Sequence, residues 1–194
     1  MLSLTKPLIL ASNSPRRKQL LQEAGFEFNV EILPTDETFP NDLPSNEIAG
    51  YISHQKAEMF KGTHTDKLVL TADTVVIYEN NILAKPADKE DAVRMLTLLS
   101  GTTHQVVTAV SLLTDETITT VSDFAVVSFR ELELTEINYY IEQYKPFDKA
   151  GSYGIQEWIG MVGIDKIEGS FYTIMGLPVH VVYQLLKPYM NRFS

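Results

Sequence analysis

Ser12-Asn13-Ser14-Pro15-Arg16-Arg17 places two hydroxyls, a proline and two guanidiniums close together, with Lys18 directly behind them. The chain that carries this cationic cluster has a formal charge of -9, so the cluster stands out against an acidic background. The stretch 8–11 ahead of it reads as a short buried strand. Ser14 and Pro15 read as the cap and first position of a helix. A strand, a turn of small hydroxyl residues and a helix N-terminus make an anion site, because backbone N–H groups and the helix dipole converge on the ligand. Hydroxyls add donors, and an arginine can grip two oxygens of one anion. The same residues also suit a plainer role, with Ser14 capping the helix and the cations solvated. The strand in front keeps the two alternatives level.

Asp73, in Thr71-Ala72-Asp73-Thr74-Val75, interrupts an otherwise apolar strand. A carboxylate is costly to bury there unless it is paired, hydrogen-bonded or bound to a metal. A structural ion pair, a strand end reaching a cleft, or a catalytic carboxylate would each explain it, and perturbed carboxylates cluster at functional sites. Lys85-Pro86 fixes the backbone just after a lysine, which either holds the ammonium at a cleft or makes a surface turn. Lys56, in Gln55-Lys56-Ala57, falls beside the inward positions of an expected helix and by itself reads as solvated. In 148–156, Gly151 and Gly154 would let backbone approach a ligand closely, with Tyr153 and Gln156 as contacts to a base. A structural loop with positive-φ glycines explains that stretch equally well.

Several signatures are absent from the sequence. It has no G-x-x-x-x-G-K-[ST], no G-x-G-x-x-G and no G-x-S-x-G, which speaks against a P-loop enzyme, a Rossmann dinucleotide site and a serine hydrolase elbow. It has no cysteine, and His54, His64, His104 and His180 lack metal-ligand spacing. Any metal is therefore expected to be a hard cation, Mg²⁺ or Mn²⁺, held by carboxylates and substrate phosphates. Trp158 is expected in the core or a cleft wall.

The elements that must position these residues alternate between strand and helix, which predicts an α/β or mixed α+β fold. At 194 residues the chain suits one domain, or two small lobes around a shared cleft. Apolar residues make up 44% and charged residues 21%, ordinary for a soluble globular protein. No secretory start or membrane-length apolar run is present, so a cytoplasmic protein without membrane contact is expected. With 25 acidic and 16 basic side chains, nucleic acid is not an expected partner. Leu20, Leu21 and Ala24 form a helical stripe ending at Gly25, and 26–33 reads as a strand. Ser45 is expected to cap a helix burying Ile48, Ile52, Gln55 and Met59. Leu68–Tyr78 reads as a strong strand, and 88–99 as a helix with Ala92, Met95, Leu96 and Leu99 inward. Two β segments, 104–113 and Thr117–Phe129, join at Thr114-Asp115-Glu116. Thr135 is expected to cap a helix with Ile137, Tyr140, Ile141 and Tyr144. A glycine-rich loop and hairpin over 148–176 lead to a last helix at Val179–Leu186.

In order, S-x-S-P-R-R, Q-K-A, A-D-T, K-P, S-G-x-x-H-x-V-x-T-A-V, D-K-A-G-x-Y-G-I-Q and M-G-L-P resemble the Maf family of nucleoside triphosphate pyrophosphatases, from about Leu8 to Leu186. The resemblance implies a fold similar to the inosine triphosphate pyrophosphatases, an elongated twisted mixed sheet with helices around a central cleft. It implies hydrolysis of a nucleoside triphosphate to the monophosphate and pyrophosphate with a divalent metal. Asp73 matches the family's proton acceptor, and Arg16, Thr74 and Gln156 match positions linked to choice of base. Ser12, Ser14, Lys56 and Lys85 match positions around the phosphates, with Asp73, Lys85 and Lys56 as the catalytic set. Glu37 falls where the family places a cleft carboxylate and, with Asp73, is the expected metal ligand. Gln156 resembles the members that act on dTTP and UTP, whereas members preferring 7-methyl-GTP carry glutamate there. A neutral amide both donates to and accepts from a pyrimidine imide edge. Glu157-Trp158 follows, where small residues are more usual. The resemblance is compatible with a homodimer. It also leaves a second class of function, a nucleotide-binding regulator of septum formation with little turnover.

Overall fold

The computed structural model describes residues 2–115 and 117–191, so Glu116 of the expected turn lies outside the described residues. Strands β1 (Leu8–Leu10), β2 (Asn29–Val30), β3 (Leu68–Tyr78), β4 (Asn81–Leu83), β5 (Thr103–Thr114), β6 (Thr117–Phe129) and β7 (Ile164–Glu168) form one sheet. Its order is β2-β1-β3-β5-β6-β7, with β4 paired to β3. β1 runs parallel to β2 and β3, with Ile9 opposite Asn29 and Val69. β4 is antiparallel to β3, and β7 is antiparallel to β6. Helices α1 (Pro15–Glu23), α2 (Ile48–Glu58), α3 (Lys89–Leu99), α4 (Leu134–Tyr144), α5 (Trp158–Gly163), α6 (Phe171–Met175) and α7 (Val179–Leu186) complete a mixed α/β architecture. No helix among the described residues is long and apolar enough to cross a membrane.

The chain divides into two compact units. One is drawn from the described residues of Met1–Asp73, Thr108–Asp123 and Gly176–Ser194, the other from Thr74–Val107 and Phe124–Met175. In the first unit Ile9, Ala57, Phe60, Val69 and Leu113 form a buried cluster, with Ala11, Leu33 and Ile118 against it. Removing such side chains from water is worth roughly 1.5–3 kcal/mol each for the larger ones. In the second unit α3 buries Ala92, Met95, Leu96 and Leu99, and α4 packs on α3 with Ile137, Tyr140 and Ile141 buried.

Four expectations change. Only Asn29–Val30 of 26–33 pairs as a strand, because β1 offers that edge just three residues. α2 begins at Ile48 without a side-chain cap, and its buried face is Ile48, Ala49, Ile52, Ser53 and Ala57, while Met59 is 50% exposed. The α4 cap is Glu133, in a capping box with Glu136, which displaces Thr135 from that role. Finally, 148–176 holds a 3₁₀ turn, α5, β7 and α6 where a hairpin was expected. The partner of β7 is β6, not a neighbour within the segment.

Candidate active site

β1 ends in the turn that leads to α1, and Ser14 caps that helix, its hydroxyl accepting from Arg17 N–H at 3.4 Å. Lys18 N–H donates to the Ser14 carbonyl, and Pro15 has no N–H to give. The helix start is therefore largely occupied by its own cap, and backbone donors expected to face an anion are spent internally. Side chains carry the anion-binding capacity instead.

The adjacent cations have different tasks. Arg17 turns back into the protein: its Nε donates to the Gly176 carbonyl at 2.8 Å and its Nη1 to the Ala72 carbonyl at 2.9 Å. Nη1 also lies 3.3 Å from Ser12 Oγ, which accepts from Ser14 N–H as well. One fork thus joins the turn after β1, the residue before Asp73, and the Met175-Gly176-Leu177-Pro178 stretch. Burial lowers the Arg17 pKa, and the Asp73 carboxylate opposes that shift, followed by smaller effects of Arg16, which lowers it, and Glu37, which raises it. With both nitrogens accounted for, Ser12 keeps its O–H as a donor. The sequence places Arg17 in the cationic cluster without a role of its own, since S-P-R-R gives no sign of which guanidinium faces inward.

β3 carries Asp73 and α2 carries Lys56. Lys56 Nζ lies 2.8 Å from Asp73 Oδ1 and 2.7 Å from Glu37 Oε1, so one ammonium bridges two carboxylates. The side chains of Lys56 and Asp73 are only 16% and 13% exposed, whereas Glu37 is 53% exposed and opens the cluster to solvent. Asp73 Oδ2 has no hydrogen bond to the described residues and can accept from a ligand or a water. Lys56, which by itself reads as solvated and which the family resemblance places in the catalytic set, sits at the centre of the charge cluster. Its signals in the sequence are the approach of Gln55-Lys56-Ala57 to the buried helix face and the Q-K-A motif.

Among the described residues no group of three or more His, Asp or Glu is arranged to enclose a metal ion. Two carboxylates beside an ammonium nonetheless suit a hard cation such as Mg²⁺, which takes one or two protein carboxylates and completes its shell with water and phosphate oxygens. The donor chemistry fits that group.

In the second unit, Lys149 is 8% exposed and pairs with Asp148 at 2.8 Å and Glu157 at 3.1 Å. Glu157 also accepts from the Tyr140 hydroxyl, and that hydroxyl accepts from Gly154 N–H at 2.9 Å. Burial and the adjacent Glu157 push the Tyr140 hydroxyl pKa upward, so it remains a donor. Glu157 is thus a brace for the loop, and Trp158 packs edge-on against Tyr139 with ring centres 5.0 Å apart. Gly160 closes the turn: a Cβ there would meet the Ile155 carbonyl oxygen at 2.0 Å. This frame presents Gln156, whose buried Oε1 has no hydrogen-bond partner among the described residues. Gly151 N–H donates to the Ala84 carbonyl at 3.2 Å, fixing the backbone beside Lys85, which is exposed. The Lys85 ammonium makes no ion pair with the described residues.

Ser12, Ser14, Arg16, Glu37, Lys56 and Asp73 fall in the first unit, and Thr74, Lys85 and Gln156 in the second. Residues 7–189 match the family described as Maf-like protein. The chain belongs to the Maf family. Relatives within it include the dTTP/UTP pyrophosphatase of Phocaeicola vulgatus, 50% identical over 93% of this chain and 94% of that protein. The dTTP/UTP pyrophosphatase of Parabacteroides distasonis is 47% identical over 93% and 94%, and that of Porphyromonas gingivalis 47% over 94% and 94%. Among solved structures, the Staphylococcus aureus Ham1 protein is similar at a TM-score of 0.48 and 14% identity, over 64% of this chain and 72% of that chain.

Proposed function

We propose that this Maf protein hydrolyses dTTP and UTP to the monophosphate and pyrophosphate. The observation that carries the reaction is Lys56, whose ammonium bridges Glu37 and Asp73. Phosphoanhydride hydrolysis needs a water held for attack at the α-phosphorus and positive charge on the phosphate oxygens. Asp73 Oδ2 accepts a proton from that water, while Oδ1 is held by Lys56. The new bond joins the water oxygen to the α-phosphorus. The bond to the bridging oxygen breaks, and pyrophosphate leaves with the electron pair. Lys56, Arg16 and Lys85 offset charge on the phosphates, and the Ser12 and Ser14 hydroxyls orient them. A divalent cation held by Glu37 and Asp73, Mg²⁺ or Mn²⁺, neutralises phosphate charge when bound.

Gln156 supports the choice of base. A buried amide oxygen without a partner is costly, roughly 1–3 kcal/mol, and an imide N–H of thymine or uracil would satisfy it. The amide NH₂ would donate to the neighbouring base carbonyl, with Thr74 and Arg16 as further contacts in the family pattern. The dTTP/UTP pyrophosphatases among the relatives favour the same assignment.

Hydrolysis of dTTP in ¹⁸O-labelled water tests the site of attack. Label in dTMP supports it; label confined to pyrophosphate would move the attack to the β-phosphorus and remove this assignment of Asp73.

A further inference from the structure

We propose that Thr71 is a positioning residue that holds Lys56 against Asp73; the inference rests on the function above only for the work it gives that pair. Thr71 is fully buried in β3 two residues before Asp73, so both side chains leave the strand on the same face. Ser53 is fully buried on α2 three residues before Lys56, on the same side of the helix. Thr71 Oγ1 donates to the Ser53 carbonyl oxygen at 2.7 Å. One strand repeat and one helical turn further on, Lys56 Nζ meets Asp73 Oδ1 at 2.8 Å.

A bond to a main-chain carbonyl fixes the helix itself, both its slide along β3 and its rotation. Ile48 and Ile52 pack the buried face of α2, and Ser53 and His54 reach Ser111 and Thr120, but the Thr71 bond is to the main chain of α2 beside Lys56. Gly50 brings the helix close to β6, where an added Cβ would lie 3.2 Å from Ser122 Oγ.

With its hydrogen committed to the carbonyl, Thr71 also sets the sense of a hydroxyl chain behind it. Ser53 Oγ donates to Thr71 Oγ1 at 3.2 Å, and Ser111 Oγ donates to Ser53 Oγ at 2.9 Å. Thr120 Oγ1 then donates to Ser111 Oγ at 2.8 Å, and His54 Nδ1–H to Thr120 Oγ1 at 3.2 Å. Each contact has one hydrogen, and the chain ends on the carbonyl of α2. Without the Thr71 hydroxyl, Ser53 would turn to a carbonyl of its own helix, and the link between α2 and β3 would be lost.

Thr71→Val, Thr71→Ser and Ser53→Ala are compared with the parent chain by lysine acylation, read at each lysine by mass spectrometry, and by dTTP kinetics. Thr71→Val is expected to acylate Lys56 several-fold faster while Lys85 keeps its rate. Its kcat falls roughly ten- to a hundredfold with KM little changed, as for a misplacement of about 1 Å. Thr71→Ser retains the hydroxyl and restores both readouts. Ser53→Ala retains the carbonyl, so Lys56 stays protected although the protein melts lower. Unchanged Lys56 acylation in Thr71→Val, or the same loss in Thr71→Ser, overturns the proposal. If Thr71→Val does not fold, Thr71→Ala carries the same expectation. Acylation needs no turnover, so a parent chain silent on dTTP sinks the proposed reaction and leaves Thr71 judged on Lys56 alone.

Discussion

Arg17 Nη1 lies 2.9 Å from the carbonyl oxygen of Ala72, which ties the first helix to the residue immediately before Asp73. The same side chain reaches Gly176 and Ser12. A planar fork reaches acceptors spread around it, which the point charge of an ammonium does not span. Arg17 is thereby part of the frame, and the proposed phosphate contact falls to its neighbour Arg16.

Arg17→Lys is expected to lose two of those contacts and strand buried carbonyls, at about 1–3 kcal/mol. Thermal unfolding should fall by roughly 2–4 °C for each kcal/mol lost. Arg16→Ala should cost less in melting temperature than Arg17→Lys and raise KM for the triphosphate. Equal melting losses in the two variants would contradict the division.

Asp73→Asn keeps the shape of the side chain but cannot take a proton. Turnover of dTTP should fall by roughly 10²–10⁴-fold, the usual span for a general base. Circular dichroism should be unchanged. Activity close to that of the parent would remove Asp73 from the chemistry.

Much of this frame is legible in the sequence. Ser14 and Pro15 mark the start of α1, the inward Ala92, Met95, Leu96 and Leu99 mark α3, and the apolar run of β3 is found at its full length. These signals are local: a cap, a period, an unbroken β-prone run. The tasks of Arg17 and Glu157, and the carboxylate partners of Lys56, are not legible locally because they depend on residues 17 or more positions away, or across a loop. Charged side chains look alike in a sequence whether they face water or a carbonyl. The short elements of 148–176 were missed since five- and six-residue helices show too little of the helical period.

Stability should also depend on pH through His104, which is buried beside Phe129 with its Nε2 2.7 Å from the Tyr153 hydroxyl. Burial pushes its pKa down to about 4 from 6.5. Between those values the unfolded chain binds more protons than the folded one, so stability rises with pH across that window. The contribution is full above pH 6.5 and is lost as pH falls toward 4, where the loss approaches about 3 kcal/mol. In urea unfolding, His104→Gln should narrow the stability gap between about pH 7.5 and about pH 5 by roughly 2 kcal/mol. An identical gap in both proteins would exclude His104 as its source.

Gln156→Glu replaces an amide that both donates and accepts with a group that only accepts. The kcat/KM for dTTP and UTP should drop by roughly 1–3 kcal/mol of lost hydrogen bonding, or about 5- to 150-fold. Turnover of guanine nucleotides, whose ring and amino N–H groups face a carboxylate well, should rise relative to them. An unaltered ranking of substrates would show that Gln156 does not select the base.

The most direct test is pyrophosphate release from dTTP, UTP, CTP, GTP and 7-methyl-GTP with Mg²⁺ or Mn²⁺. Stoichiometric pyrophosphate with dTMP and UMP, at higher kcat/KM than for the other three, is the expected result. A preference for 7-methyl-GTP would contradict the pyrimidine assignment. Tight binding of triphosphates without hydrolysis, in folded protein with metal present, would contradict the enzyme itself and leave a nucleotide-binding regulator in its place.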